Sequence, residues 1–328
     1  MLVSVIMSSY LTPEQYLRNS IESILNQTYK DFEFIIVDDS PNNVDSKIIE
    51  SYIDSRIVLL KNTENKGLPY SLNRGLMHAK GKYIIRMDSD DISLPNRIEM
   101  QVSYMEKNKD VDISSGYAHA FGHMNKDLCY PIANKNLFFE LLIKNCIIHP
   151  AVIIKKEFLD KNHLLYDEKF RYSQDYELWS RAMFKGKIVI IPEFLINYRI
   201  HEKQISTEHL GKQKRYVYDI YKNIYRELNI LLSDDDSENL YALSNARCVE
   251  NPGKLILLYK KLKRVKITER EALKNYKKRL RYYLAFNILG NFVRKKYKFN
   301  KTVVKVLFNP IIMINFLCGY AMLKRKKK

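Results

Sequence analysis

Residues 82–91 read KYIIRMDSDD, and residues 32–39 read FEFIIVDD. Each is a short apolar run that stops abruptly at a cluster of carboxylates. Runs of this length, rich in β-branched and aromatic residues, are the signature of a buried strand. In open α/β sheets, ligands bind just beyond the carboxyl ends of the strands. The reading therefore gathers Asp38, Asp39, Asp88, Asp90 and Asp91 along one edge of a sheet. Like charges this close repel one another, and a hard divalent cation relieves them, Mg²⁺ typically taking one or two carboxylates together with substrate phosphates. Aspartates also start turns after strands. That plainer role fits Asp38-Asp39 better than it fits Asp88-x-Asp90-Asp91.

Outward from these two runs, strands alternate with helices. Residues 2–7, LVSVIM, form a first strand, and residues 14–27 a helix with Leu17, Ile21, Ile24 and Leu25 on one face. Residues 56–60 are a third strand. Gly67 precedes a helix carrying Leu68, Leu72 and Leu76, and Pro95 opens another that turns Ile98, Val102 and Met105 inward. This alternation predicts an α/β fold with a mostly parallel sheet flanked by helices.

The 328 residues suffice for one large domain or two ordinary ones, and 46% hydrophobic content supports a substantial core. Charge is unevenly placed. Residues 211–328 hold 29 Lys+Arg against 9 Asp+Glu, which leaves 26 against 28 of the totals of 55 and 37 for residues 1–210. A near-neutral body over 1–210 thus joins a basic, mainly helical region over 211–328, and such asymmetry points to a polyanionic partner. Residues 306–323 are uncharged and end in a polybasic tail. That run reaches the threshold length for a membrane span, but Asn309, Pro310 and Asn315 favour a segment lying on an anionic membrane surface. The four cysteines form no CxxC pair, which argues against a zinc site or disulfide framework. The N-terminus lacks the basic and apolar regions of a signal peptide. The expected location is cytoplasmic, peripherally attached to the inner face of the cell membrane.

Several stretches occur in a telling order: SVIMSSY (4–10), IESILNQTYKDFEFIIVDDS (21–40), NKGLPYSLNRGL (65–76), YIIRMDSDDISLPNRIEMQ (83–101), HPAVIIKKEFL (149–159), QDYELWSRA (174–182) and YRIHEKQIS (198–206). Together they resemble the family 2 glycosyltransferases of the GT-A, Rossmann-like fold, closest to bacterial enzymes that build capsules, exopolysaccharides and O-antigens. The resemblance implies a nucleotide-diphosphate sugar donor with UDP-sugars favoured, a divalent cation (Mn²⁺ or Mg²⁺), and inversion at the anomeric carbon. By the same resemblance Ser8 and Tyr10 line the nucleotide, Asp39 accepts a hydrogen bond from the base, and Lys66, Asn73 and Arg86 face the donor. Asp90 is the direct metal ligand, Asp88 contacts ribose or metal-bound water, His201 completes the metal or diphosphate site, and Asp175 is the catalytic base. The chain departs from the family at Ser8, where proline is usual, at Leu11, where asparagine is usual, and at Gln174, where glutamate is usual.

Plainer roles stand beside these. Lys66 and Arg86 suit a solvated rim, Asn73 a local packing role, Asp175 a helix N-cap, and His201 a surface loop. His149 suits a structural role or the orientation of an acceptor loop, and Trp179 either stacks on a sugar or joins the core. His119 and His123 have i,i+4 spacing but fall on an expected strand without the glutamate of HExxH, so no zinc site is read there. The expected partners are a UDP-sugar, a saccharide or lipid-linked saccharide acceptor, and an anionic membrane surface. No nucleic acid is expected, as no recognition motif accompanies the basic tail. The rival classes are a non-catalytic sugar-nucleotide-binding scaffold at the membrane and a basic nucleic-acid-binding protein.

Overall fold

A computed structural model describes residues 2–130, 134–201, 210–245 and 252–265, with scattered positions between 274 and 287. The chain divides into two compact units, one of residues 1–137 and 146–213, the other of residues 138–145 and 214–328.

The first unit is built on a mixed sheet. Strands β1 (Val3–Ser9), β2 (Phe32–Asp38), β3 (Ile57–Lys61) and β4 (Tyr83–Asp88) lie parallel in the order β3-β2-β1-β4. Between them run α1 (Glu14–Leu25), α2 (Val44–Ile49) and α3 (Leu68–His78). The short β5 (Ile92–Ser93) and helix α4 (Arg97–Lys107) follow, then β6 (Ile113–Gly122) and β7 (Lys126–Leu128). After α5 (Asn134–Leu141) come a 3₁₀ turn at His149–Ala151, β8 (Ile153–Lys155), α6 (Lys156–Lys161), α7 (Gln174–Ala182) and β9 (Ile188–Ile200). Beyond β4 the order continues β8-β6-β9-β5. There β8 is antiparallel to both neighbours and β9 is parallel to β6. The fold is thus an α/β sheet flanked by helices, parallel where the two acid-ended strands lie and mixed beyond.

Period-two alternation explains the layers. Val3, Val5 and Met7 of β1 join Phe34, Ile36, Ile85 and Met87 on one face, where Leu17, Ile21 and Ile24 of α1 and Ile98, Val102 and Met105 of α4 cover them. The opposite face receives α3, which comes close because Gly75 stands against Ile6; a Cβ there would lie 2.6 Å from the isoleucine. Helix α4 begins two residues after the expected Pro95, with Asn96 as its N-cap, since the Pro95 carbonyl is taken by the Thr28 N–H at 2.9 Å. The register settles the site. Ser8 lies opposite Asp88, and Ser9 opposite Asp38, so the acid-ended strands finish level on either side of β1.

In the second unit, a helix begun at Leu210 ends at Glu227, and helices Asp234–Ser244 and Pro252–Leu262 follow. The acidic stretch after Ser233 is a helix start. The Ser233 hydroxyl and the Asp236 carboxylate cap each other's main chain, and Asp234, Asp235 and Asp236 pair with Lys222, Lys254 and Lys261. Part of the unit's positive charge is therefore met internally. Among the described residues, no helix is long and apolar enough to cross a membrane; residues 306–323 lie outside them.

Candidate active site

The end of β4 and the turn after it bring three carboxylates together. Asp88, Asp90 and Asp91 each offer an oxygen, all within 4.8 Å of one another. Asp91 is buried; its Oδ1 accepts the Arg199 N–H at 2.8 Å, while its Oδ2 has no partner. Burial, then the charges of Asp90 and Asp88, push the Asp91 carboxyl well above the usual range. Burial also raises Asp88, against the pull of Arg86 and with added repulsion from Asp90. These carboxylates crowd one another, and their like charges oppose ionisation.

Arginines surround the cluster. Arg86, two residues before Asp88 and so on the same face of β4, forms an ion pair with it. Its guanidinium is buried, and Nε and Nη1 have no partner. Arg199 donates from Nε to the Asp90 carbonyl at 2.7 Å and lies over the rings of Tyr16 and Phe121, 3.9 and 4.5 Å from their centroids. His201, the first residue after β9, places Nε2 2.9 Å from Asp90 Oδ2. Arg97, at the start of α4, is fully buried. It donates from Nη2 to the Arg86 carbonyl at 2.8 Å and from Nε to Gln101 at 3.0 Å. Burial lowers its pKa to about 9, opposed by Asp91.

At the end of β2 the carboxylates are well satisfied instead. Asp38 accepts the main-chain N–H and hydroxyl of both Ser40 and Ser46. Asp39 Oδ1 accepts from Asn62 Nδ2 at 2.6 Å and the Lys66 N–H at 2.8 Å, and its Oδ2 accepts the Gly67 N–H at 2.8 Å. Lys66 thus meets Asp39 through its main chain, while its ammonium, exposed, pairs with Glu64. Ser8 is half-buried, and Tyr10 is exposed at the head of the loop after β1. That loop is pinned to both acid regions. The Thr12 N–H reaches Asp45 at 3.3 Å, and the Thr12 hydroxyl meets that of Ser89 at 2.8 Å.

The third wall comes from residues 149–182. Asn73, on α3, gives its amide N–H to the Tyr166 carbonyl and accepts the Tyr166 N–H, both at 2.8 Å. The Tyr166 hydroxyl lies 2.8 Å from Nε2 of His149. Burial and then Arg86 hold His149 well below the ordinary imidazole range, so it is neutral. Burial raises the Tyr166 phenol, as do the charges of Asp175 and Asp88, with Arg86 opposing. Asp175, half-buried, is the second residue of α7. Trp179, further along that helix, is fully buried as a core residue with its ring edge toward His149. His119 pairs with Asp127 across β6 and β7 and stacks on Phe194.

Asp88, Asp90 and Asp91 therefore converge, with Arg86 paired to Asp88 and His201 bonded to Asp90, while Asp175 stands at the start of α7. Asp39, Ser8 and Tyr10 lie along the same sheet edge. Asn73 and the Lys66 side chain are engaged elsewhere. Sequence reasoning missed Arg97, Tyr166 and Arg199. Only Arg199 carried a legible signal, its place two residues before His201 in the same quoted stretch.

Comparison with known proteins places this geometry in context. Residues 4–161 match the family model described as Glycosyl transferase family 2. The chain is 42% identical over 225 residues to an uncharacterized glycosyltransferase of Methanocaldococcus jannaschii, covering 66% of this chain and 77% of the relative. It is 35% identical over 219 residues to the UDP-Glc:alpha-D-GlcNAc-diphosphoundecaprenol beta-1,3-glucosyltransferase of Escherichia coli, covering 65% and 83%. Among solved structures, the crystal structure of S. aureus TarS 1–349 in complex with UDP-GlcNAc is similar in fold, with a TM-score of 0.60 at 16% identity over 90% of this chain and 88% of that one. The chain spans 53% of the full TarS chain.

Proposed function

The chain belongs to glycosyltransferase family 2, and from that premise we propose that it is an inverting, metal-dependent enzyme moving a sugar from a UDP-sugar to a glycan or lipid-linked saccharide of a surface polysaccharide. The observation that carries this reading is the under-partnered charge at the end of β4: three converging carboxylates, an orphaned buried oxygen on Asp91, and two orphaned nitrogens on Arg86.

This donor set fits a hard divalent cation. Asp90, Asp88 and His201 would hold Mn²⁺ or Mg²⁺, with Asp91 close behind. Such an ion, when bound, neutralises the charge that grows on a departing diphosphate. Arg86 donates its free N–H groups to an oxygen of the donor. Asp39 accepts three N–H groups and, as a carboxylate with about four acceptor sites, keeps capacity for a fourth, the N–H of a uracil ring. Ser8 and Tyr10 flank the nucleotide. Lys66 contributes its main-chain N–H to the Asp39 loop, and Asn73 braces the wall that carries Tyr166. Asp175 takes the proton of the acceptor hydroxyl as that oxygen bonds to C1 on the face opposite the diphosphate, and the C1–O bond to the diphosphate breaks. The sugar's configuration inverts.

We assign catalysis to residues 1–210 and membrane attachment to the basic residues 211–328. A net positive charge facing anionic lipid on the cytoplasmic side would hold the enzyme where lipid-linked acceptors lie. The acceptor named for the Escherichia coli relative, a diphosphoundecaprenol-linked sugar, supports this choice. The test is a panel of UDP- and GDP-sugars with the full chain and Mn²⁺, read by thermal stabilisation and slow donor hydrolysis. One or more UDP-sugars should stabilise and be hydrolysed. A protein indifferent to every member of the panel overturns the reading.

A further inference from the structure

Family membership leaves open which groups read the transferred sugar. A residue doing so must lie between the cation site, which takes the diphosphate, and the base, which takes the acceptor proton. Tyr166 stands beside the cation site: its hydroxyl is held 2.8 Å from His149 Nε2, and the segment that carries His149 runs into Val152, whose carbonyl accepts the Arg86 N–H at 3.3 Å, two residues before Asp88.

Its position is fixed at three points. The main-chain N–H and C=O are clamped by the two ends of the Asn73 amide, each at 2.8 Å, and the hydroxyl is held 2.8 Å from His149 Nε2. His149 is itself buried, with the Trp179 ring 6.0 Å away. A tyrosine held only for packing needs no such set of partners. Three fixed points remove the rotational freedom a recognition group must otherwise lose when a ligand binds.

The second observation is independent of the first. Arg86 is 3% exposed, and two of its nitrogens have no partner, although buried polar groups are nearly always satisfied. The Val152 N–H in turn donates to the His149 carbonyl at 3.3 Å, so Arg86 and the histidine that holds Tyr166 stand on directly bonded stretches of backbone. A sugar hydroxyl can accept from one Arg86 N–H and bond to the phenol oxygen at once. Whichever nitrogen of His149 carries the proton, the phenol spends only one of its capacities on His149. It keeps either its proton or a lone pair for the ligand.

We propose that Tyr166 and Arg86 form the polar floor of the slot for the transferred sugar, and that the hydrogen bond between His149 and Tyr166 fixes the Tyr166 hydroxyl to select among sugars by the placement of one hydroxyl. The proposal rests on the UDP-sugar reading above. Tyr166 would then be a specificity-determining residue and His149 a positioning residue acting through it.

The test separates sugar from nucleotide. Full-length wild type and Tyr166→Phe are titrated, with Mn²⁺, against UDP, UDP-glucose, UDP-galactose and UDP-N-acetylglucosamine. Loss of one hydrogen bond to a ligand should weaken the preferred UDP-sugar by about tenfold, leave UDP within about twofold, and narrow the spread among the three sugars. His149→Gln, which keeps a side chain able to bond the phenol, should retain more of the discrimination than His149→Phe. Should Tyr166→Phe fail to fold, the His149 pair carries the same test. Equal losses for UDP and UDP-sugars in Tyr166→Phe, or an unchanged spread, overturn the inference while leaving the donor assignment standing. A wild type that binds UDP and none of its sugars overturns it as well. Wild type that binds none of the four overturns both.

Discussion

The two acid-ended strands of this sheet look alike in sequence and differ in what they do with their charge. At the end of β2, Asp38 receives four hydrogen bonds from Ser40 and Ser46, and Asp39 receives three from Asn62, Lys66 and Gly67. At the end of β4, Asp88, Asp90 and Asp91 crowd one another, and Asp91 keeps a buried oxygen without a partner. The first arrangement is a staple that shapes loops, with some capacity spared at Asp39. The second is a charge imbalance that folding alone does not resolve. Arg86 stands against Asp88, His201 against Asp90 and the Arg199 N–H against Asp91, yet one buried oxygen stays unmatched, which has no counterpart at Asp38 or Asp39.

The largest expected effect tests the open cluster. Asp90→Ala should lower donor turnover by at least about 10³-fold, or roughly 4 kcal/mol at about 1.4 kcal/mol per decade, with a melting temperature at or above that of wild type. A steady-state assay beside a thermal melt checks both, and retained turnover would place the cation elsewhere. The closed cluster should behave the other way. Asp38→Ala strands the donors of Ser40 and Ser46 and should cost about 3 kcal/mol of stability, read by urea unfolding. A neutral result there would mean that the loop holds itself.

A third variant weighs the imbalance directly. Asp91→Asn removes a buried charge while leaving an oxygen for the Arg199 N–H. In cation-free buffer it should raise the melting temperature by about 2–4 °C, the shift expected for about 1 kcal/mol in a unit of this size. Mn²⁺ at a hundred times its dissociation constant should stabilise wild type by about 2.7 kcal/mol and Asp91→Asn by less. Wild type that melts identically with and without the ion would contradict the contrast between the two strand ends.

Much of this was legible before any coordinates. Apolar runs ending in aspartate marked β2 and β4 to within a residue, and the apolar run over 2–7 marked β1 to within two, because strands buried on both faces leave little ambiguity. The mixed half of the sheet was harder. Strand β9 contains Pro192 and Glu193, and its pairing with β6 shifts register around Gly116, so no clean alternation marks it. Arg97 was invisible for a different reason. A lysine or arginine at a helix start reads as exposed, and the carbonyl of Arg86, the side chain of Gln101 and the Met87 sulfur make its burial tolerable. Tyr166 lay in a loop whose sequence says nothing of Asn73, 93 residues earlier.

The smallest expected effect sits where the two strand ends meet. Thr12 touches Asp45 on the closed side and Ser89 on the open side, and the residue before it, Leu11, adopts φ +48°. A side chain in this left-handed region costs roughly 1–2 kcal/mol, and Asn tolerates it better than other residues with a Cβ. Leu11 is 50% exposed, so little burial is forfeited by replacing it. Leu11→Asn should therefore stabilise the protein by somewhat less than about 1 kcal/mol. Leu11→Val, β-branched and ill suited to positive φ, should destabilise it by a similar amount. Glycine is the poorer probe, because its gain in the folded loop is offset by the extra freedom it gives the unfolded chain. Unfolding curves that rank Asn above Leu above Val would establish that the loop is held in this conformation by its contacts at Thr12, against the preference of its own residue. Equal stabilities would mean that the loop yields, and that the two acid regions are not linked through it.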